Sequence, residues 1–186
     1  MYYSYLYVLL EVQFTVIGIL KMIKLILTIG SAGAGKTTWT NKRCKDNIGK
    51  VAVVSLDNLR TTLFGDMDKK EFFSKLNDKD TLALMKSMME AQVISLSKQK
   101  QIKEIIICNT NFNLKTISEW KILADYYGMQ FCYKLFEKPF DELVKINRDR
   151  PSCDRVPVSF LKLAVDLIPE VKIGLKDMPN CTKIGR

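Results

Sequence analysis

The chain has 186 residues, 47% of them hydrophobic, enough for one domain with a substantial core and too few for two. It contains no histidine, so His-based acid/base chemistry and a Ser-His-Asp triad are excluded, and any general base must be a carboxylate, a lysine or water. The formal net charge of +9 points to an anionic partner or, equally, to a lysine surface that aids solubility.

Residues 1–20 carry no Lys or Arg and are rich in Tyr, Leu, Val and Ile. A signal peptide would start with positive charge, and a membrane helix would hold Glu11 and Gln13 near its middle. Residues 1–21 are therefore expected to be an apolar extension outside the native domain, which would begin at Met22; a membrane anchor is the alternative. Cys44, Cys108, Cys132, Cys153 and Cys181 are odd in number and form no C-x-x-C pair. Neither a zinc site nor a disulfide framework is expected, and the cysteines read as small apolar residues in a reducing compartment.

The apolar run 23–29 predicts a buried strand that leads into Gly30-Ser31-Ala32-Gly33-Ala34-Gly35-Lys36-Thr37-Thr38, a complete phosphate-binding P-loop. Glycines let successive N–H groups face one anion, and the helix predicted over 36–45 adds the positive end of its dipole. Lys36 would reach the β- and γ-phosphates of ATP, and the Thr37 hydroxyl would ligate Mg²⁺. A second strand is predicted over 51–55, with Asp57 just past its carboxyl end. Short helical pieces over 59–64 and 69–76 and a longer helix over 80–99 follow, the methionines of the last reading as core filler.

A third strand over 104–108 ends in the polar cluster Asn109-Thr110-Asn111, and a helix over 114–127 stops at Gly128. A fourth strand over 129–136, a helix over 140–147 and a last helix over 158–168, opening after Pro157, complete the pattern. Between those final helices, Arg148-Asp149-Arg150-Pro151-Ser152-Cys153-Asp154-Arg155 reads as a lid whose arginines neutralise a transferring phosphoryl group, or as a solvated turn. Strands that alternate with helices predict an α/β fold: a parallel sheet of four to five strands flanked by helices, with a helical lid and ligands at the strands' carboxyl ends. The kinase-like domain is expected over 22–170, with a tail over 171–186.

On these pieces the chain resembles the kinase domain of the phage-type 5′-hydroxyl polynucleotide kinases. The likeness runs from about Met22 to Ile168. It rests on the strand with Gly35-Lys36-Thr37-Thr38-Trp39, on Asp57-Asn58-Leu59-Arg60 as the family's Asp-x-x-Arg, on Asn109-Thr110-Asn111 in the place of its Asp-Thr-Asn, and on Glu142-Leu143-Val144-Lys145 with Asn147, Arg150, Val156 and Pro157 as its lid. The resemblance implies that Asp57 is the general base on the acceptor hydroxyl, that Arg60 holds an acceptor phosphate, and that Arg150 acts from the lid beside Lys36. It implies ATP and Mg²⁺ as cofactors, 5′-hydroxyl DNA or RNA as acceptor in end healing, a cytoplasmic location and no stable membrane association.

Two departures stand out. Asn109 replaces a carboxylate that would organise the metal's water shell, so metal binding is expected to be indirect and weaker, and Ile146 replaces a basic residue before the lid Asn, a charge that Arg148 could supply. No Asp-x-Asp-x-Thr motif occurs, so no phosphatase activity is expected. The alternatives are a P-loop kinase of a small molecule such as a nucleoside or antibiotic, and a module that binds ATP without kinase turnover.

Overall fold

The computed structural model describes residues 22–65, 71, 72, 74 and 78–181. The 1–21 extension and most of the helical piece expected over 69–76 lie outside the described residues. Within them the chain alternates β1 (Lys24–Gly30), α1 (Lys36–Asp46), β2 (Val51–Val54), α2 (Leu56–Phe64), α3 (Lys79–Ser97), β3 (Glu104–Ile107), α4 (Leu114–Tyr126) and β4 (Gln130–Phe136). The lid helix α5 (Phe140–Arg148), a 3₁₀ turn (Ser152–Asp154), α6 (Val158–Asp166) and α7 (Ile168–Gly174) follow.

The strands form one parallel sheet in the order β2-β3-β1-β4, so β1 is central. Lys24 is level with Glu104 on one side and with Gln130 on the other, which puts every strand's carboxyl end at the same pole. Period-2 alternation sends Leu25, Leu27, Ile29, Ile105 and Ile107 to one face, where Met85, Met89 and Val93 of α3 and Ile117 and Trp120 of α4 cover them. Ile26, Ile106 and Cys132 face the other way, against Trp39 of α1. Both faces are covered, as parallel pairing requires.

An ion pair ties the phosphate-loop helix to the sheet. Glu104, buried at the start of β3, receives Arg43 Nε at 2.7 Å and Nη2 at 2.5 Å, a two-pronged contact that offsets the cost of burying the carboxylate. The Glu104 hydrogen bond raises the guanidinium pKa against the lowering effect of its partial burial.

Two expectations need correction. The helix expected over 158–168 is found but ends at Asp166, and a further helix, α7, starts at Ile168 and takes in residues read as the start of the tail; Pro169 in its first turn cannot donate to a carbonyl one turn back, so Leu167 becomes a junction between the two. Cys132 and Cys181, expected as free thiols, form a disulfide with 5.6 Å between their Cα atoms. Tyr133 bridges Asn180, its N–H donating to Pro179 O and its carbonyl accepting from Cys181 N–H, so the tail runs along the outer edge of β4 and brings the sulfurs together. Cys44, Cys108 and Cys153 stay as thiols, and burial pushes the Cys44 thiol pKa up.

Ile105 is fully buried between two strands and the helical layer. Ile105→Ala should destabilise the domain by about 3 kcal/mol, read as a lower urea midpoint at an unchanged slope.

Candidate active site

β1 ends at Gly30, where the chain passes so close to β4 that a Cβ would lie 2.6 Å from the Phe136 carbonyl oxygen. Only glycine fits there. At Gly33, with φ 84°, a Cβ would stand 3.2 Å from Ile146 Cγ2, so the loop lies directly under the lid helix α5. Ala34 is buried between Leu143 of α5 and Leu161 of α6. Trp39, one turn into α1, packs edge-on against Phe136 at 5.8 Å, and Lys134 sits 5.3 Å from the Trp39 ring centre.

Gly35 caps α1 without a side-chain acceptor, and the first turn holds no acidic residue. The N-terminal N–H groups thus face no competing protein anion there, the condition for binding phosphate. Lys36 is buried, its Nζ donating to the carbonyls of Gly30 and Ser31 at 2.8 Å each. Thr37 and Thr38 are exposed toward a cavity of about 720 Å³ that runs from the loop to α2, α3 and the lid. The buried Ser31 Oγ has no hydrogen-bond partner among the described residues. A cradle of glycines, a buried ammonium and an orphaned hydroxyl fit the polyphosphate of a nucleotide.

The opposite wall is α2. Its N-cap is Ser55, whose hydroxyl accepts from Asn58 N–H at 3.1 Å, which leaves Asp57 in the first turn, exposed, with its side chain on the cavity. Asp57 Oδ1 accepts from Arg60 Nη1 at 3.2 Å. Arg60 is 9% exposed, its guanidinium 5.5 Å from the Phe72 ring centre, and its Nε is the other buried atom without a partner among the described residues. A buried cation with a donor to spare is an anion site in waiting.

Asn109 is what holds this wall in place. Its Oδ1 accepts from the Leu56 N–H at 2.9 Å, at the head of α2, while its Nδ2 lies 3.8 Å from Met89 Sδ. The loop that carries it is stitched to β1. Thr28 Oγ1 donates to the carbonyls of Ile107 and Asn109, Gly30 N–H donates to Thr110 O, and Asn111 Nδ2 donates to Thr28 O at 2.8 Å. Thr28 was not singled out from sequence, and Asn111 was named only as a member of the polar cluster after β3, with no part assigned to it. The only available signal was asparagine's tolerance of positive φ, and Asn111 adopts φ 52°.

The lid closes the third side. Buried Asn147 at the end of α5 donates from Nδ2 to Val156 O at 2.8 Å and accepts at Oδ1 from Val156 N–H at 3.0 Å, pinning both ends of the charged loop. Arg150 lines the cavity, with Nη1 donating to Asp154 O, and its own carbonyl accepts from Arg155 Nε. Arg148 is exposed and does not line it. Of the residues read from sequence, Ala32, Gly33, Gly35, Lys36, Thr37, Thr38, Asp57, Arg60, Asn109 and Arg150 meet in this one cavity, while Gly30, Ser31 and Ala34 form the loop's inner turn behind it. Leu82, Met85, Phe72 and Phe160 complete the walls, although the first two belong to a periodic pattern that reads from sequence as core.

A family model described as an AAA domain matches residues 25–166, the sheet, the loop and the lid together. The chain belongs to this AAA-domain family. Its α/β architecture is that of a P-loop kinase. Among solved structures, a chain of the Pnkp1/Rnl/Hen1 RNA repair complex superposes with a TM-score of 0.68 at 24% identity, over 82% of this chain and 46% of that one. A second structure of the Pnkp1/Rnl/Hen1 complex gives 0.56 at 26% identity, over 71% and 40%. The chain thus spans less than half the length of either. The APS kinase CysC of Mycobacterium tuberculosis, in complex with AMPPNP and APS, matches at 0.50 and 13% identity, over 80% and 99%, a likeness of fold.

The Asn147 pair is the lid's structural clasp. Asn147→Ala should cost about 1–3 kcal/mol by leaving Val156 N–H without its acceptor, and should speed proteolytic cutting within 149–157 more than elsewhere.

Proposed function

We propose that the chain is an ATP-dependent kinase that transfers the γ-phosphate to the 5′-hydroxyl end of a polynucleotide, a step of nucleic-acid end healing. One observation carries this reading: a carboxylate, Asp57, and a buried cation with an unmatched donor, Arg60, face the phosphate loop across a single cavity. A kinase needs a base beside the acceptor hydroxyl, and a polynucleotide acceptor also needs a cation for the phosphate on its far side.

In this reading Asp57 accepts the proton of the 5′-hydroxyl as its oxygen bonds to the γ-phosphorus, the bond to the bridging oxygen breaks, and ADP leaves. Lys36 and the loop N–H groups stabilise the charge that builds on the phosphoryl oxygens, and Arg150 adds charge from the lid. Mg²⁺ would be held by the phosphates and the Thr37 hydroxyl, with Asn109 acting on its water shell, and would further neutralise the phosphoryl oxygens.

A second reading rests on the apolar walls. Leu82, Met85, Phe72 and Phe160 would also receive a nucleoside or another small alcohol. Radiolabelled γ-phosphate transfer to a 5′-hydroxyl oligonucleotide, a nucleoside and no acceptor separates polynucleotide kinase, small-molecule kinase and simple nucleotide binding.

Lys36→Ala should lower transfer by about a hundredfold or more with unfolding unchanged. Asp57→Asn should leave ATP affinity within a few fold while transfer collapses; loss of nucleotide binding as well would assign Asp57 a structural part. Arg60→Ala should raise the acceptor KM for a 3′-phosphorylated nucleoside and leave that of the bare nucleoside alone. An unchanged KM with both acceptors would promote the small-molecule reading.

A further inference from the structure

A second, smaller cavity of about 310 Å³ lies beside the first. Leu56, Asn109, Thr110 and Phe160 line both and form the sill between them. One side of the smaller cavity is Phe160, Leu163, Ala164 and Leu167, spaced i, i+3, i+4 and i+7 along α6 and its C-cap. The other side is the loop 109–113 with Thr116 of α4. The phosphate loop does not border it.

The two cavities differ in chemistry. Among the described residues that line the smaller one no side chain is ionisable, whereas Lys36, Asp57, Arg60 and Arg150 line the larger. Phe160 and Leu163 stay 41% and 54% exposed although they share one apolar stripe. Asn113 uses Oδ1 on the N–H groups of Lys115 and Thr116, and Asn111 uses Nδ2 on Thr28 O. Among the described residues, Asn113 Nδ2, Asn111 Oδ1 and the hydroxyls of Thr110 and Thr116 have no hydrogen-bond partner. The start of α4 is thus already capped and carries no site for phosphate. A flat, neutral group with donors and acceptors on its edge fits these walls, and an anion does not.

Position narrows the ligand further. Leu56 and Arg60 stand four residues apart on α2, on the same side of the helix and about 6 Å apart along its axis. Arg60 lines the larger cavity and Leu56 lines both. A strand that offers its first nucleoside to Asp57 and its first phosphate to Arg60 therefore continues over Leu56 into the smaller cavity. We propose that this cavity is a subsite for the second base of the acceptor strand. The inference rests on the polynucleotide kinase reading and sharpens it: the acceptor is recognised at two nucleosides, not at one. Phe160 and the apolar stripe of α6 supply a stacking surface, and the free amide and hydroxyl groups meet the edge of the base. The base of the nucleotide donor is the competing occupant. It hangs from the polyphosphate on the loop, and that loop lines the larger cavity alone.

The experiment measures γ-phosphate transfer by the full chain to three acceptors that share a first nucleoside and its 3′-phosphate: the nucleoside 3′-phosphate itself, a dinucleotide, and the same dinucleotide with an abasic second sugar. The intact dinucleotide should show kcat/KM about tenfold above the abasic one, which matches it in charge. The abasic dinucleotide should stay within a few fold of the nucleoside 3′-phosphate. Thr116→Trp fills the cavity without adding charge and should bring the intact dinucleotide down to the abasic level. Leu163→Gln, at an exposed position that tolerates change, should remove part of the advantage. Ile122→Gln, exposed on α4 and outside both cavities, should keep it whole. Thermal unfolding checks that each variant is folded, and the acceptor series itself needs no variant. Equal kcat/KM for intact and abasic dinucleotides overturns the subsite and leaves the kinase reading standing. So does an advantage that survives Thr116→Trp in a folded protein, and a rise in the KM for ATP in its place gives the cavity to the donor's base. A protein that binds ATP and phosphorylates none of the three acceptors overturns the kinase reading, and the subsite with it.

Discussion

The seam between the end of β1 and the loop after β3 is the constraint on which the site depends. Thr28, buried on the central strand, donates to two carbonyls of the β3 side, and the loop answers through Thr110 O on Gly30 N–H and Asn111 Nδ2 on Thr28 O. The phosphate loop leaves β1 two residues beyond Thr28, and Asn109, held in the same seam, grips the first N–H of α2. The phosphate loop and α2 therefore hang from one set of hydrogen bonds in the sheet's interior. A shift of the seam would move Lys36 and Asp57 together and preserve their relation, which suits a reaction governed by positioning.

Asn109 shows how one amide serves a purpose that a carboxylate could serve too. Its Oδ1 supplies an acceptor for a helix-terminal N–H, and its Nδ2 turns toward the Met89 sulfur. The neutral side chain holds α2 without adding a negative charge to the cavity. The lid uses an asparagine in a parallel way. Asn147 is both donor and acceptor to Val156, so a nine-residue separation becomes a closed hairpin and Arg150 is presented on a loop whose two ends are fixed.

The cavity at the carboxyl pole gathers two buried cations, Lys36 and Arg60. Parallel topology is what brings them to one side. Every strand starts at one pole and ends at the other, so residues that precede strands gather on one side and residues that follow them gather on the opposite side.

The phosphate loop, the alternation of strands and helices and the parallel sheet were legible in the sequence, because glycine spacing and hydrophobic periodicity are local properties that each segment carries by itself. The place of Asp57 and Arg60 just past a strand was legible for the same reason, whereas the parts proposed for them came from the resemblance to a family and not from local pattern. What only the tertiary structure decided are the contacts that sequence-local pattern does not reach: Asn109 on Leu56, the Phe72 ring beside Arg60, and Cys181 carried to Cys132 by a tail that pairs with β4. Leu82 and Met85 fit a helical period that is the same whether the face meets the core or a cavity, so periodicity alone could not place them on the wall. Local pattern specifies which element a residue joins; which residues then meet depends on strand order and packing, and neither is encoded within a single window of chain.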